Sequence, residues 1–322
     1  MKILLISSGN KGIYKHFDSW IHQDLRKKHD VTFFDFKDGV PTLKVILHKF
    51  MPQVALTLIG YQLPLEILDI LREHKVKSVA WLTEDPYYMD RTASLGEHYD
   101  YLFTIDTAAL HYYQQQGYKK SFHLPLGTNE HIYKPNNTFG YISDFCLVGY
   151  PYPDRIKFVQ LLLHYTKRNI ILVGSWKSHM KSFKRNPNLM IHEGWVEPAK
   201  VAYYYSTSKI VLNTHRPYNL KYNQNHLGII GRCINNRTFD VAACGAFQLI
   251  EHKEDLSKHF IEGEEIVSFR GFEDLMNKTD YYLDNEEERK AIASRARFRV
   301  LKEHTIHNRL KAMLSILLKD IR

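Results

Sequence analysis

The chain has 322 residues, which at roughly 150 residues per domain points to about two domains. It carries 44 Lys plus Arg against 35 Asp plus Glu, a formal charge of +9, with 44% hydrophobic and 25% charged residues. That composition excludes intrinsic disorder, and no apolar run is long enough to cross a bilayer. The apolar opening, residues 3–6, is too short for a signal-peptide core and gives way to polar residues 7–11, so the expected location is the cytoplasm. In order, residues 2–8 read as an apolar strand, 8–12 as a polar turn with two glycines, 17–28 as a helix and 31–34 as a strand. Residues 44–51 are helical in pattern, 54–59 a strand, 65–74 a helix, and 79–82 a strand ending in Thr83-Glu84-Asp85-Pro86. A strand at 101–105 and a helix at 107–116 closed by Gly117 complete the first half. Turn-forming residues dominate 127–142, where a hinge is expected.

The alternation then restarts. Strands are expected at 144–148, 170–173, 190–192, 210–213 and 246–250, and helices at 155–165, 198–206, 238–243, 272–283, 285–300 and 307–318. Pro198 suits the start of a helix, and Gly245 the end of one. Alternating strands and helices imply parallel sheets covered on both faces. The fold class is therefore α/β, two Rossmann-like domains facing a cleft, and ligands in such sheets bind beyond the carboxyl ends of the strands.

The basic charge favours anionic partners in general, including peripheral association with anionic surfaces, and no nucleic-acid-binding signature accompanies it. Cys146, Cys233 and Cys244 are odd in number and far apart, which argues for reduced thiols. The 18 His lack metal-site spacing, so no metal is expected.

Chemistry is sought at the strand ends. In the first half Gly9, Asn10 and Gly12 form a loop whose amides can receive a ligand oxygen, or simply a turn. Glu84 and Asp85 are adjacent carboxylates of which at most one faces the cleft; the alternative is a helix cap. Asp106 reads as a ligand contact or as the cap of the helix from Thr107. In the second half Arg216 stands at a strand end, where it can pair with a phosphate. Asn235 or Asn236 can cap the next helix, whose free amides would then face a diphosphate. Arg237 in its first turn opposes the helix dipole unless an anion is bound, and Asp240 can accept ribose hydroxyls. Gly174, Trp195 and Val196 are candidates for a base pocket.

The run Arg237-Thr238-Phe239-Asp240-Val241-Ala242-Ala243-Cys244-Gly245-Ala246-Phe247, preceded by Leu212-Asn213-Thr214-His215-Arg216, resembles the glycosyltransferase-like proteins of the spore-maturation CgeB family. The tail agrees, with Gly263 to Phe269, Tyr282-Leu283, residues 289–293, His304-Thr305 and Arg309. The segments are also similar to the donor half of retaining transferases of the GT-B fold. The resemblance implies an acceptor-binding domain over 1–135, a nucleotide-sugar-binding domain over 136–306, and a helix over 307–322 that crosses back to the first domain. It implies transfer of a hexosyl group from a nucleoside-diphosphate sugar, most often a UDP-sugar, to a hydroxyl of a glycan, polymer or protein, with retention and no cofactor. It also implies association with the developing spore surface. Asp240 takes the place of the family's ribose Glu, with Arg216, Asn236 and Arg237 on the diphosphate. Glu84, Asp85 and Arg216 would be catalytic, and Gly9, Asn10, Gly12 and Asp106 would lie on the acceptor side. Arg232 stands where the family has a Glu that touches the donor sugar. The alternative is therefore an inactive nucleotide- or glycan-binding protein in spore-surface or envelope assembly.

Overall fold

Inner strands of a parallel sheet are buried on both faces, and here the inner strands are short apolar runs rather than alternating ones, while the edge strands Asp30–Phe34 and Leu189–His192 are partly exposed. Val54–Leu58, for instance, is buried at all five positions. A computed structural model describes residues 1–136 and 140–321, so positions 137–139 of the expected hinge lie outside the described residues. The chain divides into two units.

The first unit comprises Met1–Leu126, Tyr218–Cys233 and Ile306–Arg322. Its elements are β1 (Lys2–Ile6), α1 (Ile13–Leu25), β2 (Asp30–Phe34), α2 (Gly39–Phe50), β3 (Val54–Leu58), α3 (Leu65–Glu73), β4 (Lys77–Leu82), α4 (Met89–Thr92), β5 (Tyr101–Thr104), α5 (Thr107–Gln115) and β6 (Ser121–His123). The strands form a parallel sheet in the order β2-β1-β3-β4-β5-β6. One core cluster joins Leu4 and Ile6 of β1 to Ile67, Leu68 and Leu71 of α3, and to Tyr113 of α5. The unit's first segment closes at Leu126, ahead of the expected boundary at 135.

The second unit comprises Gly127–Pro217 and Ile234–Thr305. It runs β7 (Ser143–Val148), α6 (Pro153–Tyr165), β8 (Ile170–Val173), β9 (Leu189–His192), α7 (Pro198–Ser206), β10 (Ser208–Asn213), α8 (Arg237–Ala243), β11 (Gln248–Glu251), β12 (Val267–Phe269), α9 (Gly271–Asp284) and α10 (Glu286–Glu303). Its parallel sheet has the order β12-β11-β10-β7-β8-β9. Pro153 and Pro198 open α6 and α7 at their first positions, where a missing N–H costs nothing. Three glutamates, Glu286 to Glu288, open α10 against its positive end.

The last helix, α11 (Ile306–Ile321), belongs to the first unit, where His307 Nδ1 lies 2.9 Å from Asp24 Oδ2 and Tyr101 donates to Asp320 at 2.7 Å. Residues 218–233 also belong there, a return that the sequence does not predict. They are tied by the His226 amide to Asp90 and by the amides of Arg232 and Cys233 to Asp106. All three cysteines are buried free thiols. No helix among the described residues is long and apolar enough to cross a membrane.

Candidate functional site

In the second unit the carboxyl ends of β7, β8 and β10 are occupied by Gly149, Gly174 and the run Thr214-His215-Arg216. Gly149 has φ 135° and Gly174 φ 133°, backbone that other residues rarely adopt. A Cβ on Gly174 would lie 2.5 Å from the Gly149 carbonyl oxygen, so the close approach of the two loops requires a glycine there. Trp176 Nε1 donates to that same oxygen at 3.0 Å. A Cβ on Gly149 would lie 2.6 Å from Arg237 Nη2 and 2.9 Å from Arg155 Nη1. Two guanidinium groups therefore converge on one glycine at the end of β7.

Each arginine is held by named partners. Arg155, near the start of α6, is buried. Its Nε donates to Thr214 Oγ1 at 2.7 Å, Nη2 to the Thr214 carbonyl at 2.5 Å and Nη1 to the Tyr150 carbonyl at 3.0 Å. Its guanidinium also lies over the Tyr152 ring. Arg237 Nη1 donates to Asn213 Oδ1 at 3.2 Å, and Arg237 makes no ion pair among the described residues. Asn213 in turn donates to Thr238 and Gln248, which fixes its amide and hence the direction of Arg237.

His215 completes the cluster without adding positive charge. Its Nε2 lies 2.9 Å from the Glu251 carbonyl oxygen and so carries the proton. Nδ1 is then the acceptor for Asn235 Nδ2 at 3.1 Å. Burial, then the nearby charges of Lys253, Arg155 and Arg237, push its pKa well below the ordinary imidazole value. The imidazole is thus neutral at pH 7. Asn235 Oδ1 and Asn236 Oδ1 are buried acceptors with no hydrogen-bond partner among the described residues.

The sequence expectations fare unevenly here. Arg237 lies in the cluster and Arg216 follows His215 directly, half-buried. The free helix amides do not materialise. Thr238 N donates to the Asn235 carbonyl, and the amides of Phe239 and Asp240 donate to the Asn236 carbonyl. Asn236 has helical dihedrals and makes no side-chain cap. A seven-residue helix that closes its own first turn offers few amides to an anion. Positive side chains, not a helix end, dominate the site.

Asp240, the expected ribose contact, is already engaged within the second unit. It is 8% exposed; Oδ1 accepts from Thr128 Oγ1 at 2.7 Å and Oδ2 from Asn236 Nδ2 at 3.4 Å. Burial raises its pKa to about 7, against the hydrogen bonds and the Arg237 charge that lower it. A carboxyl whose folded pKa exceeds its unfolded value of about 3.9 contributes stability below that value, lost as pH rises to about 7. Asp240→Asn is therefore expected to flatten part of the fall. Between pH 4 and 7 the stability of the variant relative to the parent should rise by an amount on the order of a few kcal/mol, measured by urea titration at each pH. A constant difference across that window would contradict the assignment.

Of the base-pocket candidates, Trp195 is exposed with Nε1 donating to Glu197, Val196 is partly exposed, and Gly174 serves the contact with Gly149. Arg155 is a site residue that sequence reasoning missed. Its one signal is a cation in the first turn of a helix that follows a glycine at a strand end.

In the first unit Asp85 is fully buried and accepts from Thr92 at 2.8 Å, Thr104 at 2.7 Å and Tyr113 at 2.9 Å. Burial raises its pKa to about 7. It is a structural carboxylate, which corrects its expected catalytic role. Asp106 caps α5 through the amides of Ala108 and Ala109 and holds those of Arg232 and Cys233 with its other oxygen, at 2.7 and 2.9 Å. Four amides leave it no acceptor role, so the cap reading is the one seen. Glu84 is the partly exposed member of the pair and accepts from the Tyr14 hydroxyl. Gly9 (φ 72°) packs against Phe36, Asn10 accepts from Gln62 Nε2 at 2.8 Å, and Gly12 precedes α1 without a side-chain cap.

Comparison with known proteins gives a consistent family. The model of a family described as glycosyl transferase-like matches residues 155–315. Spore protein CgeB of Bacillus subtilis (strain 168) is 33% identical over 296 residues, covering 91% of this chain and 92% of that protein. Among solved structures, sucrose-phosphate synthase from Thermosynechococcus elongatus aligns with a TM-score of 0.73 at 12% identity, over 99% of this chain and 100% of that one. Anabaena HepE in complex with UDP-glucose aligns with a TM-score of 0.71 at 10% identity, over 99% and 100% of the two chains. These structures share the GT-B fold with this chain.

Proposed function

The chain belongs to the glycosyl transferase-like family and is a relative of CgeB, and from that premise we propose that it transfers a hexosyl group from a nucleoside-diphosphate sugar to a hydroxyl. The observation that carries this reading is the convergence of Arg155 and Arg237 on Gly149. Two like charges held side by side repel, and a diphosphate between them turns that cost into attraction. In the transfer, charge builds on the departing diphosphate, and guanidinium groups already in place stabilise it without reorganisation. His215, neutral and locked by Asn235 and Glu251, supports the loop that carries Arg216. Asn236 Oδ1 is an acceptor that a ribose hydroxyl would satisfy.

UDP is the proposed nucleotide, supported by the complex of HepE with UDP-glucose, and Trp195 is the exposed aromatic that would stack on the base. Retention and the absence of a cofactor follow the family resemblance. Glu84, held by Tyr14, is the first unit's remaining candidate to orient an acceptor hydroxyl. The name of the relative, spore protein CgeB, supports a role connected with spores. A second reading, binding without turnover, is favoured by Arg232 in place of the expected sugar-contacting Glu; its amide is fixed to Asp106. The two readings separate on UDP release from a panel of UDP-sugars with and without glycan acceptors. Acceptor-dependent release is expected; saturable binding with no release from any donor would favour the second.

A further inference from the structure

The first unit contains a cavity of about 520 Å³ beyond the carboxyl ends of β1 and β2, walled on one side by α1. Its lining has two chemically different parts and a second carboxylate, Asp35, whose Oδ1 is already engaged by the Ser7 hydroxyl at 2.9 Å and the Lys37 amide at 3.1 Å. Asp18 of α1 is 7% exposed; its Oδ2 accepts from the Ser8 amide at 3.0 Å and the Ser8 hydroxyl at 2.8 Å. Its Oδ1 has no hydrogen-bond partner among the described residues. A buried carboxylate oxygen left this way calls for a donor, and a ligand hydroxyl is one. Asn10 and Ser19 lie in the same lining. The other part is cationic. Lys11, Lys15 and Lys37 all line the cavity, are exposed, and make no ion pair among the described residues. Lys37 Nζ donates only weakly, to the Gly9 carbonyl at 3.3 Å.

Acceptors for hydroxyl protons beside three ammonium groups select a two-ended molecule. A neutral sugar makes no use of the exposed lysines, and a bare anion supplies no hydroxyl to the buried Asp18. We propose that this cavity binds a polyhydroxy compound bearing a phosphate ester, with hydroxyls toward Asp18 and the phosphate toward Lys11, Lys15 and Lys37. That such a compound is the acceptor rests on the transferase reading above; its binding does not.

The test is a calorimetric titration with glucose 6-phosphate, glucose 1-phosphate and glycerol 3-phosphate, set against glucose, glycerol and inorganic phosphate. At least one ester is expected to bind at least tenfold more tightly than both its neutral parent and inorganic phosphate. That preference should persist in Arg237→Ala and fall at least tenfold in Lys11→Ala/Lys15→Ala, two exposed positions whose loss the fold tolerates. Asp18→Asn, which keeps an acceptor for Ser8, should weaken the ester but not inorganic phosphate. The proposal is overturned if no ester exceeds its controls, or if Arg237→Ala removes the preference and the lysine double variant does not. Ester binding by the unmodified protein together with no detectable UDP binding by it would instead reject the nucleotide-sugar reading and leave this site standing.

Discussion

Replacing Asp85 with alanine is expected to destabilise the protein by about 3–5 kcal/mol, read as a lower urea midpoint with an unchanged slope. Three hydroxyls, from Thr92, Thr104 and Tyr113, converge on this carboxylate, and all three residues are buried. Truncation strands donors that cost about 1–3 kcal/mol each when unsatisfied. Thr92 has fallback partners in the Tyr88 carbonyl and Met89 sulfur, which keeps the total below the simple sum. Asp85→Asn retains an oxygen for the hydroxyls and removes the buried charge, so it should cost far less and should leave UDP binding intact. An alanine variant as stable as the parent would show that the hydroxyls do not depend on Asp85.

Arg237→Ala is expected to weaken UDP binding by about tenfold to a hundredfold, the range for loss of a charge-assisted hydrogen bond to phosphate. Among the described residues its side chain hydrogen-bonds only Asn213, so the thermal midpoint should move little. Arg237→Lys, which keeps charge but loses the two-pronged geometry, should fall between the two. Unchanged UDP affinity in the alanine variant, measured by calorimetry at fixed salt, would remove Arg237 from the site. Arg155 is a poorer probe, because its bonds to Thr214 and Tyr150 brace two loops and its loss would mix folding with binding.

The architecture is legible in the sequence because parallel strands covered on both faces must be apolar runs, as in Val54–Leu58 and Ile170–Val173. Pro198 and Gly245 mark helix ends where the structure has them. Two short strands with three residues each, Ser121–His123 and Val267–Phe269, are not legible because they carry too few residues to show a pattern. The return of residues 218–233 to the first unit depends on contacts with Asp90 and Asp106 more than a hundred positions away, which local pattern cannot reveal.

The site is legible by residue type and less so by orientation. Adjacent carboxylates Glu84 and Asp85 are expected to diverge and do, but only the surrounding hydroxyls identify Asp85 as the inward one. Arg237 stands out in the sequence by its conflict with the helix dipole, yet the structure gives it a different setting. It is the second of two guanidinium groups at Gly149, while the helix amides are engaged by Asn235 and Asn236. Arg155 looks like an ordinary helix residue in the sequence because its partner Thr214 lies 59 positions along the chain.

Titration of the unmodified protein with UDP and with uridine isolates the role of the paired guanidinium groups. UDP is expected to bind at least tenfold more tightly than uridine, with inorganic pyrophosphate competing and the advantage shrinking as salt is raised. Equal affinities for UDP and uridine would contradict a diphosphate seat at Gly149, and with it the proposed chemistry of the second unit.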